Sequence, residues 1–397
     1  MAFCMESQKI GQARPDRSDR PPVRIFMDGA FDLMHFGHMN AFRQARALGD
    51  QLVVGVNSSA TVAVCKGSPT VLTDEERQGA VSACRFVDEI VPASPYVMTA
   101  EYIQEMIVAK NIDFFVHGDD PCIVDGKDVY EAAKKAGRYR SFPRTEGIST
   151  TDIVGRVLAL SKEHHEPAAI FKQTDAAQEH DTKNNAATYA CSKSQFLVTS
   201  HLMEAFRGPR SKPSDGQRII YVDGSWDMFH AGHTNFLRKA KELGDFLLVG
   251  VHSDAVVNRT MGSNYPIMSM QERLLSVLGC RYVDDVLFDA PWAITCEMIK
   301  SLGIYRVAKG TAGDFVIDGS DDTSSQRSGG CDTDRCADAH AVPKQMGVLV
   351  ETESDISLTI NEIVHRLQQS ESEVVARVET KRKTELEWFN KKHGIYK

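Results

Sequence analysis

Residues Ile25 to Ala60 and Ile220 to Ala255 are one segment written twice: IFMDGAFDLMHFGHMNAFRQARALGDQLVVGVNSSA and IYVDGSWDMFHAGHTNFLRKAKELGDFLLVGVHSDA. Nineteen of the 36 paired positions are identical without a gap, at a constant offset of 195. Further matches keep nearly that spacing: Glu76-Arg77 with Glu272-Arg273, and Phe86-Val87-Asp88 with Tyr282-Val283-Asp284. A period this long describes a duplicated domain, not a solenoid unit. Whatever the first half folds into, the second must fold into as well, and 397 residues leave room for two cores.

Each copy opens with an apolar run, Val23 to Met27 or Arg218 to Val222, followed by a glycine-containing turn. A helical stretch of about eleven residues then stops at Gly49 or Gly244. A second apolar run, LVVGV or FLLVGV, comes next. Strand, helix and strand in that order predict an α/β fold with a parallel sheet flanked by helices in each half. The first copy continues with a capping-box pattern at Thr73 to Glu76 and a strand over Phe86 to Val91. A helix near Ala100 to Lys110 and a strand over Asp113 to His117 follow.

These signals divide the chain into a disordered leader (1–22), a first domain (23–165), a polar linker (166–217), a second domain (218–367) and a charged C-terminal helix (368–397). The linker has one expected ordered patch, around Phe196 to Phe206, and the Ser/Asp/Gly-rich stretch 318–341 reads as a disordered insertion. No run of 18 apolar residues exists, so no membrane-spanning helix is expected, and the first residues lack the apolar segment of a secretory signal. The net charge of −8 argues against a nucleic-acid-coating protein. Cys84 and Cys280 sit in apolar runs and read as reduced, buried thiols, while Cys331, Cys336 and His340 fit no standard zinc spacing. The expected address is the cytosol.

The chemistry is carried by His35-Phe36-Gly37-His38, placed where a strand and its turn hand over to a helix. A helix amino terminus offers unpaired N–H groups and the positive end of the dipole to an anion. Gly37 lets a phosphate approach, and two histidines three apart can both donate to its oxygens. The turn Asp28-Gly29-Ala30-Phe31 adds backbone amides at the carboxyl end of the strand, where ligands bind in such sheets. Two further anion-binding candidates are Lys66-Gly67 and the segment Arg144-Thr145-Glu146-Gly147-Ile148-Ser149-Thr150-Thr151, an arginine joined to a hydroxyl cluster that opens another helix.

HxGH after a first strand, Lys-Gly after the second and RTEGISTTDIV near the domain end together resemble the cytidylyltransferases of the HxGH nucleotidyltransferase superfamily. Two such domains in tandem, with GRYRSFPRTEGISTTDIVGRVL in the first and NYPIMSMQERLLSVLGCRYV in the second, are similar to the ethanolamine-phosphate branch of that family. The resemblance spans about Val23 to His165 and Arg218 to Leu367. It implies tandem Rossmann-like domains that transfer CMP from CTP to phosphoethanolamine, releasing pyrophosphate, in the route to phosphatidylethanolamine. It also implies that His35 and His38 hold the α-phosphoryl and leaving-group oxygens and that Lys66 neutralises charge. Arg144, Ser149 and Thr150 would grip the β- and γ-phosphates. Asp28, Gly29, Ala30, Phe31, Gly37, Arg77, His117, Gly118, Asp119, Thr145 and Thr151 would complete the CTP site. Mg²⁺ is expected to travel with CTP, since no dedicated carboxylate cage is visible.

For the acceptor, Tyr96, Asp120 and Tyr130 are the expected pocket. A choline head needs an aromatic cage, whereas a primary ammonium wants carboxylate or carbonyl acceptors. Choline enzymes of the family carry an aspartate directly after the histidine matched by His117, and here Gly118 stands there. Choline-phosphate or glycerol-phosphate cytidylyltransferase and a non-catalytic nucleotide sensor stay open as alternatives. No nucleic-acid partner is expected, and both homo-oligomerisation and peripheral contact with the endoplasmic reticulum surface fit the family.

The halves are not equivalent. The second keeps His230, Gly232, His233 and Arg273 but has Met261-Gly262 in place of Lys66-Gly67, and ESDISLTINEIV in place of RTEGISTTDIV. Its candidate nucleotide site is Ser225, Trp226, His230, His233, Lys309 and Gly310. The first half is therefore the expected catalyst, with a working second site, Lys309 replacing the lost charge, as the competing reading.

Overall fold

Each copy of the repeat builds a five-stranded parallel sheet. The computed structural model describes residues 20–158, 201–207, 213–311, 338–376 and 383, apart from 121, 125, 146, 263–264 and 374. The first half runs β1 (Arg24–Gly29), α1 (Phe36–Ala47), β2 (Gln51–Asn57), α2 (Ser59–Lys66), α3 (Asp74–Ser82), β3 (Glu89–Ser94), α4 (Ala100–Lys110) and β4 (Phe114–Gly118). A two-stranded antiparallel ribbon, β5 (Ile123–Val124) and β6 (Lys127–Asp128), precedes α5 (Glu131–Lys135), β7 (Tyr139–Phe142) and α6 (Thr150–Leu158). The sheet order is β3-β2-β1-β4-β7. The chain winds outward from β1 in one direction, then returns to β4 on its other side. That reversal opens a crevice at the carboxyl ends of β1 and β4.

The second half repeats the plan with β8 (Ile219–Gly224), α7 (Ala231–Glu242), β9 (Phe246–Val251), α8 (Asp254–Met261), α9 (Met270–Leu278), β10 (Asp285–Phe288), α10 (Cys296–Ser301), β11 (Ile304–Gly310), α11 (Ala341–Gln345), β12 (Leu349–Thr352) and α12 (Ile360–Gln369). Its order, β10-β9-β8-β11-β12, is that of the first sheet. Both central strands register residue for residue with the next, Arg24 to Gly29 on Gln51 to Val56 and Ile219 to Gly224 on Phe246 to Val251. The near-continuous Val/Leu/Ile runs of these strands are explained by helices covering both sheet faces.

The expected capping box forms: the Thr73 hydroxyl accepts from Glu76 N–H, and the Glu76 carboxylate accepts from Thr73 N–H at 2.8 Å. The strand expected over Phe86 to Val91 instead covers Glu89–Ser94, because Cys84 to Asp88 serves as a junction between the halves. In the linker, 201–207 is helical and Phe206 is wholly buried, with its ring edge-on to Phe86 at 5.5 Å. The expected insertion ends earlier than 341, since Ala341 already begins α11, and most of it lies outside the described residues, as does most of the expected leader. The boundary expected at 367 falls inside α12, and most of 377–397 lies outside the described residues. Among the described residues no helix is long and apolar enough to cross a membrane.

The two halves are one packed body. A single apolar core contains Met39, Phe42 and Val81 from the first half together with Leu237, Leu274 and Val277 from the second. Helix α1 packs on α9, α3 on α7, and α6 on α12. The contacts are reciprocal, as about a two-fold axis. Arg156 grips both oxygens of Glu272 at 2.7 and 2.9 Å, and Arg366 grips both oxygens of Glu76 at 2.7 and 3.1 Å. Arg85 donates to the Cys280 and Val283 carbonyls, and Arg281 to those of Cys84 and Val87.

Candidate active site

The HxGH segment is itself a helix cap. His35 is the N-cap of α1, and its Nδ1 accepts from Gly37 N–H at 3.1 Å. His38 closes the box, its Nδ1 facing the His35 N–H at 3.4 Å. Both Nδ1 atoms therefore act as acceptors, which places the proton of each neutral ring on Nε2. The rings lie together, 4.0 Å between centroids. Two N–H donors and the amino end of α1 thus share one location.

That location opens on a cavity of about 950 Å³ lined by Asp28 to Asp32, His35, Gly37, His38, Lys66, His117, Gly118, Arg144, Thr145 and Ser149 to Thr151, among others. Phe31 and Leu33 carry positive φ of 49° and 47°, so the turn holds two side chains in a conformation that costs about 1–3 kcal/mol each. An added Cβ at Gly37 would lie 2.8 Å from the His35 ring and 2.9 Å from Ile148, so only glycine leaves the site open. Lys66 ends α2, and Gly67, at φ 75°, is its left-handed cap. The Lys66 ammonium sits 5.3 Å from the Tyr96 ring centre.

The second anion-binding segment is organised by carboxylates. Asp119 accepts from the Arg144 N–H at 3.0 Å, and the Asp120 carboxylate lies 3.8 Å from the Arg144 guanidinium and 4.0 Å from His117. Asp120 lines the cavity and stands between Arg144 and His117. Asp119 works behind the wall, positioning Arg144. Ser149 caps α6, accepting from Asp152 N–H at 3.2 Å, and Thr150 donates to the Asp32 carbonyl at 3.2 Å. The amide donors at the start of α6 are thereby aimed at the cavity.

Arg77 is a larger departure. Expected at the CTP site, it is wholly buried and holds the Ala30 carbonyl and Asp74 (2.6 Å). It does not line the cavity; it braces the turn that does. Asp28 lines the cavity. It is buried, accepts from the Tyr130 hydroxyl at 2.7 Å and from Asn57 at 3.3 Å, and burial raises its carboxyl above the ordinary range. Tyr96 lines the cavity beside it, whereas Tyr130 lies behind Asp28, outside the cavity lining, its ring tilted against His117 at 4.9 Å.

Sequence reasoning missed several contributors. Asn57 anchors Asp28 and donates to the Ser94 and Pro95 carbonyls. Asp32 accepts from Val71 and Leu72 N–H, tying the turn to the loop after Lys66, and its repetition as Asp227 was the available signal. Cys65 and Cys122 line the cavity. So do Ser372, Glu373 and Ala376, which follow α12 in a further helical stretch, and nothing local in the sequence marks them. Among the described residues no group of three or more His, Cys, Asp and Glu side chains could hold a metal ion.

The second half reproduces the cap but not its surroundings. His230 Nδ1 accepts from Gly232 N–H at 3.2 Å and His233 Nδ1 faces His230 N–H at 3.4 Å. Ser225 is buried, and Trp226, at φ 54°, donates its indole N–H to the Gly250 carbonyl and takes the place of Phe31. Over Gly232, however, the Leu358 carbonyl oxygen lies 2.5 Å from an ideal Cβ, so an oxygen acceptor stands where Ile148 stands in the first half. Ser354 replaces Arg144, and Ile360 replaces Thr150. Lys309 is exposed near the end of β11, beside Gly310. Asp223, at the place of Asp28, faces His340 at 3.5 Å, and the tyrosine beside it is Tyr221 of its own strand in place of Tyr130.

The sequence matches the cytidylyltransferase-like family over residues 26–156 and again over 221–326. It is 41% identical to the ethanolamine-phosphate cytidylyltransferase of Dictyostelium discoideum, over 94% of this chain and 98% of that protein. Against the same-named proteins of Arabidopsis thaliana and Mus musculus the identities are 40% and 39%, covering 95% and 93% of this chain and 87% and 91% of theirs. The tandem sheets, the paired histidine caps and these whole-length similarities lead to one assignment: the chain belongs to the ethanolamine-phosphate cytidylyltransferase family.

Proposed function

We propose that the first half transfers CMP from MgCTP to phosphoethanolamine, giving CDP-ethanolamine and pyrophosphate. The observation that carries this reading is the histidine capping box, which fixes two Nε2 donors at the amino end of α1. A phosphate oxygen of phosphoethanolamine attacks the α-phosphorus in line, and the bond to the β-phosphate oxygen breaks. The electron pair leaves with pyrophosphate, and no covalent intermediate is needed. The two Nε2–H groups donate to α-phosphoryl and leaving oxygens, Lys66 screens the growing charge, and Arg144 with the start of α6 holds the β- and γ-phosphates. The Mg²⁺ arrives as part of the nucleotide substrate.

Asp28 and its neighbours favour a primary ammonium. The Asp28 carboxylate is an acceptor, as three N–H donors require. Tyr130 packs in tilted contacts against His117 and Tyr139, at 4.9 and 5.6 Å, and the Lys66 ammonium lies over one face of Tyr96. Among the described residues these rings are engaged with protein groups, which favours an ammonium held by a carboxylate over a quaternary head held by a cage. The second half, with Met261, Ser354 and the Leu358 carbonyl at its anion site, is read as structural. Pyrophosphate release from MgCTP, compared between phosphoethanolamine and phosphocholine, tests the acceptor assignment. At least tenfold higher kcat/KM for phosphoethanolamine is expected; equal rates, or release with neither acceptor, would overturn it.

A further inference from the structure

Cys84 and Cys280 occupy the same position in the two copies of the repeat and meet at the reciprocal junction between the halves. They form an antiparallel bridge, flanked by Arg85 N–H to Gly279 carbonyl and Arg281 N–H to Ala83 carbonyl bonds, both 2.9 Å. In that pattern the bridged residues are a non-hydrogen-bonded pair, with side chains on one face and Cα atoms about 4.5 Å apart. Disulfides span Cα separations from about 4.4 to 6.8 Å, so the backbone already stands within bonding range. Both side chains are wholly buried, both are free thiols, and neither belongs to the cavity of the first half.

We infer that Cys84 and Cys280 are an oxidation site, joined by a two-electron oxidant into one disulfide that covalently ties the two halves together. With a small-molecule disulfide as oxidant, one thiolate attacks and expels a thiol. The other thiolate then attacks the mixed disulfide at the protein sulfur and expels the second. The two cysteines lose two electrons and two protons, and one molecule of oxidant is reduced to two thiols. Arg85 and Arg281 stand close enough to favour both thiolates. Burial works against them, pushing Cys84 up to about 12 and Cys280 up to about 11, so the reaction is slow and needs the junction to open. The same burial shields the finished bond from reductants. The bond would close a loop of nearly 200 residues, which strongly restricts the unfolded chain.

The test uses the full-length protein, incubated with glutathione disulfide or diamide and then unfolded in N-ethylmaleimide. Digestion without reductant and mass spectrometry follow. A Cys84–Cys280 linked peptide is the expected product, together with a rise in the thermal midpoint of about 5 °C or more that dithiothreitol reverses after unfolding. Pyrophosphate release should be retained, because the cavity is not touched. In Cys84→Ala, Cys280 should remain alkylatable and the midpoint should not respond to oxidant. Recovery of both cysteines as maleimide adducts, after exposed thiols have been consumed, would overturn the inference. So would a linkage between the cavity thiols Cys65 and Cys122 in place of this one.

Discussion

At the scale of single residues, the duplication supplies internal controls. His38 and His233 close the same box on the same helix, so either alanine variant loses the same cap, worth about 1 kcal/mol. The stability changes should match while the chemistry does not. Turnover of His38→Ala is expected to fall about 10²–10³-fold, as for loss of one preorganised donor, and that of His233→Ala to change by less than threefold. Steady-state pyrophosphate release beside thermal melts reads both. Equal collapse in two folded variants would show a working second site. Asp28 gives a prediction in pH. Burial raises its carboxyl, so as pH falls it becomes neutral earlier than an ordinary carboxylate and stops facing the ammonium as a charge. The acid limb of kcat/KM for phosphoethanolamine should therefore lie above the usual carboxylate range of about 4, and Asp28→Asn should lower kcat/KM and flatten that limb. Arg77 shows where residue-level reading stops. An arginine in a phosphate-binding sequence invites a ligand role, yet three protein acceptors within reach claim it, and the pattern of letters does not distinguish the two.

At the scale of elements, what the sequence made legible was local. The strand–helix–strand order, the stop at Gly49, the Thr73–Glu76 box and the helix Ala100–Lys110 are set by neighbours within a few residues, and each forms where periodicity and caps place it. The shift of β3 toward Ser94 was not legible, because Cys84 to Asp88 is held by the other half, nearly 200 positions away. Gly67 and Gly262 offer a second matched pair. Both end an equivalent helix at positive φ, 75° and 68°, with nothing near enough for a new Cβ to strike. Alanine at Gly67, with ψ 3°, should cost about 1 kcal/mol through strain alone, and alanine at Gly262, whose ψ of −162° is nearly confined to glycine, about 1–3 kcal/mol. Only Gly67 follows a lysine that faces the cavity. Gly67→Ala should therefore also raise KM for MgCTP several-fold by disturbing Lys66, and Gly262→Ala should leave it unchanged. A KM response in both would show that the second half's loop contacts nucleotide or its neighbour.

At the scale of the molecule, the duplication does what a two-fold dimer interface would do, but within one chain. Met39, Val81 and Cys84 are covered by the second half, Glu76 is held by Arg366, and Phe206 seals Phe86. The first-half cavity also takes part of its wall from Ser372, Glu373 and Ala376. The first half thus draws on the second for part of its core and on residues after α12 for part of its cavity wall. Expression of residues 1–165 alone tests that argument. The exposed face should drive the fragment to pair with a second copy or to aggregate, since apolar surface of that extent is rarely left open on a monomer. Pyrophosphate release per folded chain should fall at least tenfold with the wall and the Glu76–Arg366 contact gone. Light scattering with size exclusion and the coupled assay give both readings. A monomeric fragment with full turnover would mean that the second half contributes neither packing nor site, and that the reciprocal arginine contacts are incidental to activity.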